Sequence, residues 1–454
     1  MSDQNAYWPD RAERQLVGRF YLAEGFSEVF NVVFPFRFIY LYMVMEHPEW
    51  AVVPLFVESA TVLLMEIPTG AVADRWGRKL SVISGGVLYA VSLLFIPFAV
   101  SQSGTMQLWA VCASFAVGGL GQTLISGAEE AWVVDNLASA GRHDLIDRYF
   151  ARIRSFASFG GVGAGCLALI ILLSANITRP ILDGLWYLAA LGFLAAVAMA
   201  ATIPEQRPAQ EDLLEPVQGP GLLSQLLQGF RVIGRTRALA MLAIAIVIAA
   251  FSGSIADEAF DISMVTKGLD ARALAPLGIL TDLIGIVAPL VGVVLARRFG
   301  ASRVLVAFLI LPATLVFVFF IAPPLWAIVG VYLLLAFFDD VWDPVAEANL
   351  QRLIPSSSRA TAGSTVNQVS GLANLGGIGL FALLLGEHSE ALREATPDLI
   401  AAFSGGVVSH PHVPTGLFGL PVPDLVIVVF VLSGVLAIPF LLLGRLPKAT
   451  EQKP

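Results

Sequence analysis

Carboxylates at helical spacing inside apolar segments are the groups with which this chain could do chemistry. Glu24, Glu28 and Asn31 follow i, i+4, i+7 spacing, which puts all three on one helix face. Gln122, Ser126 and Glu129 repeat that pattern, with Glu130 next in line, and Asp339, Asp340 and Asp343 form a third group. Ionisable groups in membrane-crossing helices are costly and usually functional. A carboxylate that water solvates poorly can take up and release protons, and it attracts cations. These acids are therefore candidates for binding a substrate or a coupling proton, and the stripes they form should line a central cavity. Trp132 and Trp342, close in sequence to Glu130 and Asp343, could add cation–π contacts. The plainer alternative makes the acids helix-end groups neutralised by arginines of nearby loops; Glu66, Asp135 and Glu347 fit it best.

A second set lies toward the opposite helix ends: Asp257, Glu258, Asp261 and Asp282. Arg37 is the one base inside an apolar segment, and Glu58 or Asp257 is its expected partner in an outer salt bridge. Cys112 and Cys166 both fall in apolar segments and read as reduced packing residues. His388, His410 and His412 share a Pro/Gly-rich stretch, 387–421, with no acid or cysteine at ligand spacing, so no metal site is expected. No phosphate-binding Gly-x-x-x-x-Gly-Lys-Ser/Thr motif and no nucleophile–base constellation occurs, which argues against an ATP-driven pump and against an enzyme.

The elements that must position these acids are membrane helices. The chain is 57% hydrophobic and 14% charged, with mean hydropathy +0.78; soluble proteins carry about 25% charged residues. A net charge of −8 leaves no basic footprint for nucleic acid. The polar start, Met1 to Arg19, precedes the first apolar segment without the form of a cleavable signal peptide. Twelve segments are long and apolar enough to span: 17–45, 50–73, 79–101, 106–138, 147–174, 180–203, 237–265, 273–297, 301–321, 324–351, 360–386 and 422–445. Long continuous apolar runs exclude an alternating β-barrel pattern. With both termini inside, the inner segments hold 22 Lys/Arg and the outer ones four, a positive-inside alternation that persists through all twelve. Counted at ~1.5 Å per residue from the inner ends, the three acid groups lie at similar depths, about 10–18 Å. Segment 204–236 is polar and reads as a linker; its end, Leu222 to Leu239, has the pattern of a surface amphipathic helix.

The two halves repeat. Phe156-Ala-Ser-Phe-Gly-Gly-Val-Gly163 aligns with Leu372-Ala-Asn-Leu-Gly-Gly-Ile-Gly379, and Glu130 to Leu137 aligns with Asp343 to Leu350. Three matches in the same order, with similar offsets, point to one duplication. The third pairs a charged turn, Gly70-Ala-Val-Ala-Asp74-Arg75-Trp-Gly77-Arg78-Lys79, with a worn copy at Arg297-Arg298-Phe-Gly300.

Twelve spans in two related halves, together with Gly70, Asp74, Arg75, Gly77, Arg78 and Lys79 between the second and third, resemble the major facilitator superfamily of transporters. The resemblance implies an all-α membrane protein of 12 transmembrane helices in two pseudo-symmetric six-helix bundles. It also implies that the charged turn gates the cytoplasmic side, with Asp74 reaching toward Thr361–Ser364. The branch it is nearest to in pattern is the drug–proton antiporters. It departs from them in having no arginine in Ala116-Val-Gly-Gly-Leu-Gly121 and no proline in Gly163-Ala-Gly165. The expected organisation is an N-terminal bundle over 1–203, a cytoplasmic linker over 204–236 and a C-terminal bundle over 237–454. The expected function is secondary active transport by alternating access, as proton-coupled efflux of a small organic, cationic or lipophilic substrate. Uptake or facilitated diffusion of a metabolite is the alternative, and a transporter-fold receptor or scaffold a remoter one. No cofactor is expected. The expected partners are a small-molecule substrate, protons and membrane lipid, for a monomer in the inner membrane with both termini cytoplasmic.

Overall fold

The computed structural model describes residues 11–142, 145–174, 178–206, 222–254, 273–315, 325–354, 359–387 and 431–444, with isolated positions at 260, 263–264, 267, 269 and 427–428. Within these residues the structure is helical and contains no strand. The helices are α1 (Arg11–Phe30), α2 (Arg37–Val44), α3 (Val52–Trp76), α4 (Arg78–Ala99), α5 (Gly104–Ser139), α6 (Ile146–Ser174) and α7 (Arg179–Ala201). After them come α8 (Leu222–Ile233), α9 (Arg237–Gly253), α10 (Leu274–Phe299), α11 (Ala301–Leu315), α12 (Leu325–Leu353), α13 (Arg359–Glu387) and α14 (Ile438–Gly444). Seven of the described helices are long and apolar enough to cross a membrane, or eight if the bent pair α8–α9 counts as one span. Shorter apolar helices cover Phe156–Ile171, Ala301–Leu315 and Val431–Leu442. Helices suit lipid because each satisfies its own backbone hydrogen bonds.

The first expected span, 17–45, is corrected. It is two helices separated by a turn and a 3-10 segment, Phe34–Phe36. Pro35 has no N–H to donate to the carbonyl four residues back, so the α-helical ladder is interrupted here: α1 stops at Phe30 and a new helix starts at Arg37. Arg37 therefore opens a helix instead of lying inside one.

The chain forms two compact units. One is drawn from Met1–Tyr40, Val44–Glu46 and Val53–Glu215, the other from Leu41–Met43, His47–Val52 and Pro216–Pro454. In the first, α1 packs on α6 and α7, and α4 on α5 and α7. In the second, α9 packs on α13 and on α14, and α12 on α10 and α11.

Glycine sets the close approaches. A Cβ on Gly160 of α6 would overlap that of Glu28 on α1, and one on Gly163 would come within 3.1 Å of Val29. On α13 the tight position is Gly377, against Ser254 and Phe251 beside the end of α9. Gly85 and Gly121 let α4 and α5 touch backbone to backbone, where an added Cβ would lie 2.6–2.7 Å from a carbonyl oxygen. Lipid supplies no hydrophobic drive between helices, so such contacts depend on close fit.

Candidate functional site

Glu24 of α1 and Glu129 of α5, both half-buried, lie within electrostatic reach of each other and of the Tyr149 hydroxyl on α6. Among the described residues, no base pairs with either carboxylate. Tyr149 is buried and stacks on Tyr21 at 5.3 Å, and Tyr21 stacks on Phe156 at 4.7 Å, so rings of α1 and α6 hold the site's edge. Glu130 is exposed. Glu28 sits over Gly160, and Asn31 lies in the break after α1, its carbonyl accepting from the Phe34 N–H at 3.2 Å.

Just inside the same face lies a pair that sequence patterning missed. Glu13 is 1% exposed, pairs with Arg152 of α6 and accepts a hydrogen bond from Tyr21 at 2.9 Å. It belongs to the polar start of the chain, which conceals its burial. The signal was present, because Glu13, Val17, Phe20 and Tyr21 share one helix face at i, i+4, i+7, i+8.

Arg37 meets Glu58 at 2.9 Å. The other expected partner, Asp257, lies outside the described residues. Glu58 also accepts from the Gln122 amide at 2.8 Å, and Gln122 bonds the half-buried Tyr89. Gln122 thus joins the Arg37–Glu58 network, whereas Glu129, on the same stripe, lies within electrostatic reach of Glu24. Arg37 lies 5.1 Å over the Phe34 ring.

The charged turn is one residue long. Gly77 alone separates α3 from α4, at φ 110, a conformation open to glycine and strained for other residues. Gly77 has no side chain with which to cap α4; the Glu205 carboxylate does so, accepting from the Arg78 N–H at 2.9 Å. The Arg78 side chain pairs with Asp135 and donates to the Ala131 carbonyl of α5. Lys79 donates to the carbonyls of Ala201 and Ile203, each at 2.7 Å, neutralising the C-terminal end of α7. Arg19 reaches the Thr202 carbonyl at 2.7 Å, and Trp132 and Asn136 both donate to Pro204. Arg75 is exposed, Gly70 has no neighbour within 4 Å of a Cβ position, and the Asp74 side chain lies outside the described set. Asp135 is thus a neutralised helix-end acid. Trp132 is corrected: it is fully buried against Phe20, with ring centroids 5.0 Å apart, and cannot offer its face to a cation.

In the second unit, Asp339 and Asp343, one turn apart on α12, line a cavity of about 360 Å³. Ser252, Tyr332, Trp342 and Asn374 add its other polar groups, and Phe260 closes one wall at 5.5 Å from Tyr332. The Trp342 indole donates to the Leu305 carbonyl at 3.2 Å, which fixes the ring. Asp340 turns away toward α10, where it lies 3.5 Å from a Gly285 Cβ position and within electrostatic reach of Asp282. Asp340 stays within electrostatic reach of Asp343 but does not line the cavity, so helix rotation gives the expected acid trio two faces. Asp282, read from sequence as part of the opposite-end set, is brought beside Asp340. Among the described residues, no group of three His, Cys, Asp or Glu could hold a metal ion. Asp261 and His388, His410 and His412 lie outside the described residues.

The worn copy of the turn has the same backbone. Gly300 separates α10 from α11 at φ 87, and Phe299 is exposed like Trp76.

Solved structures with this fold include a D-xylose–proton symporter, 14% identical, with TM-score 0.70 over 97% of this chain and 100% of that one. The nucleoside transporter NupG is 14% identical, with TM-score 0.66 over 94% and 99%. A bacterial homologue of the human lysosomal transporter Spinster is 13% identical, with TM-score 0.68 over 98% and 100%. Comparison with curated proteins finds no match. The model of the Major Facilitator Superfamily matches residues 51–378, and the chain, with two helical units, a one-residue glycine turn in each and the repeat between them, belongs to that superfamily of membrane transporters.

Proposed function

We propose that this transporter is a secondary active exporter that exchanges protons for a small organic cation by alternating access. The observation that carries this reading is the approach of Glu24 to Glu129 with no described base against either. Two carboxylates so placed repel each other, and a proton or a cation between them relieves the repulsion. Proton and cargo then compete for one site, which is the physical basis of exchange. The acid-lined cavity of the second unit supports the same reading, since its volume suits a small molecule. Proton coupling is named for one similar fold, the D-xylose–proton symporter, and the direction, extrusion, follows the habit of the superfamily that the charged turn resembles. The protein acts as a monomer in the cell membrane, with its termini in the cytoplasm.

Transport in proteoliposomes with an imposed pH gradient, screening lipophilic cations against neutral metabolites, tests this. Cation flux should follow the gradient, and flux indifferent to it overturns proton coupling. Glu24→Gln and Glu129→Gln should each weaken cation binding about tenfold, a loss of roughly 1.4 kcal/mol. Unchanged binding in both variants removes the pair from the site.

A further inference from the structure

We propose that α8 is an interfacial helix that binds anionic phospholipid. The chain turns through 118° between Leu227–Ile233 and Arg237–Gly253. With α9 crossing the bilayer, α8 lies closer to the membrane plane than to its normal. Reading round the helix at ~100° per residue, Val232 and Ile233 come first and are buried in the core of the second unit with Leu239, Leu350 and Ala362. Phe230 and Leu227 come next, each 50% exposed. Arg231 and Gln228 complete the circle, and both are exposed. Packing on the bundle requires only the first of these faces.

The second apolar flank has a use in acyl chains, and the polar flank beside it faces headgroups and water. The charge is one-sided. Arg231, Arg235 and Arg237 are exposed, none meets a carboxylate among the described residues, and no acid lies between Leu222 and Arg237. That end of α9 is the one the positive-inside pattern assigns to the cytoplasm, whose leaflet is anionic. The inference rests on the membrane setting and is independent of what the protein carries.

Full-length protein, delipidated in detergent, is titrated in separate arms with phosphatidylglycerol, phosphatidylcholine and soluble glycerol phosphate, and its melting temperature is followed. Phosphatidylglycerol should stabilise it saturably and most strongly, and glycerol phosphate should have no effect. Arg231→Gln and Arg235→Gln should each lower the phosphatidylglycerol affinity about fivefold without changing the phosphatidylcholine response. Arg231→Lys and Arg235→Lys, which keep the charge, should bind as the wild type does. Phe230→Asn should weaken both lipids. Equal responses to the two lipids, a response to glycerol phosphate matching that to phosphatidylglycerol, or full affinity in the glutamine variants overturns the proposal. Should the glutamine variants fail to fold, spin labels at 227 and 230 decide instead: greater accessibility to oxygen than to a water-soluble relaxant supports burial in lipid, and the reverse overturns it.

Discussion

The two one-residue turns, at Gly77 and at Gly300, share a backbone and differ in almost everything attached to it. Both glycines have positive φ, and both join two helices end to end. In the first unit Arg75 precedes the glycine and is exposed, but the two bases that follow it are spent on neighbouring helices, Arg78 on α5 and Lys79 on the end of α7. In the second no base directly follows the glycine, and Arg297 and Arg298 before it remain exposed, Arg298 only 5.5 Å from the Phe299 ring. A duplicated turn keeps its glycine because no other residue adopts that conformation without strain. Its charges can drift, since a solvated arginine contributes little wherever it stands. The clamp is therefore a property of the first unit.

The largest expected effect probes how rigid that unit is. Arg152→Leu would strand the fully buried Glu13 carboxylate and should cost about 3–5 kcal/mol, read as a lowered unfolding midpoint of the purified protein. A change near zero would mean that water reaches Glu13, and that this end of α1 is looser than its packing indicates. Next come the glycines. Gly77→Val and Gly300→Val should each lose about 1–3 kcal/mol, by the same measurement, and the two losses should match. A tolerated Gly300→Val would end the claim that the turns are equivalent. The smallest effects separate the charges. Arg78→Gln should cost about 1–2 kcal/mol, since a charged donor leaves a carboxylate and a carbonyl, whereas Arg297→Gln should stay within about 0.5 kcal/mol. Equal costs would make the clamp as symmetric as the backbone.

Much of this was legible without a fold. Apolar length makes helices of the spanning segments, and the motif glycine marked the turn. Glu58 could be paired with Arg37 because a lone base in lipid needs a nearby acid. The break after Phe30 was written in Pro35, yet it hides inside a run whose hydropathy is continuous. Glu13 escaped because burial at a polar chain start depends on what packs over it, here Arg152 and Tyr21.

The sequence by itself determined the helical membrane class, the repeat and the glycine turns, because each follows from local composition or from a conformation only glycine can take. Only the tertiary structure decided which acids meet. It brought Glu24 within electrostatic reach of Glu129, placed Asp340 near Asp282 as well as Asp343, and turned Trp132 inward while leaving Trp342 on a cavity wall. The physical reason is rotation: spacing along a helix says which residues share a face, while packing against other helices decides what that face meets.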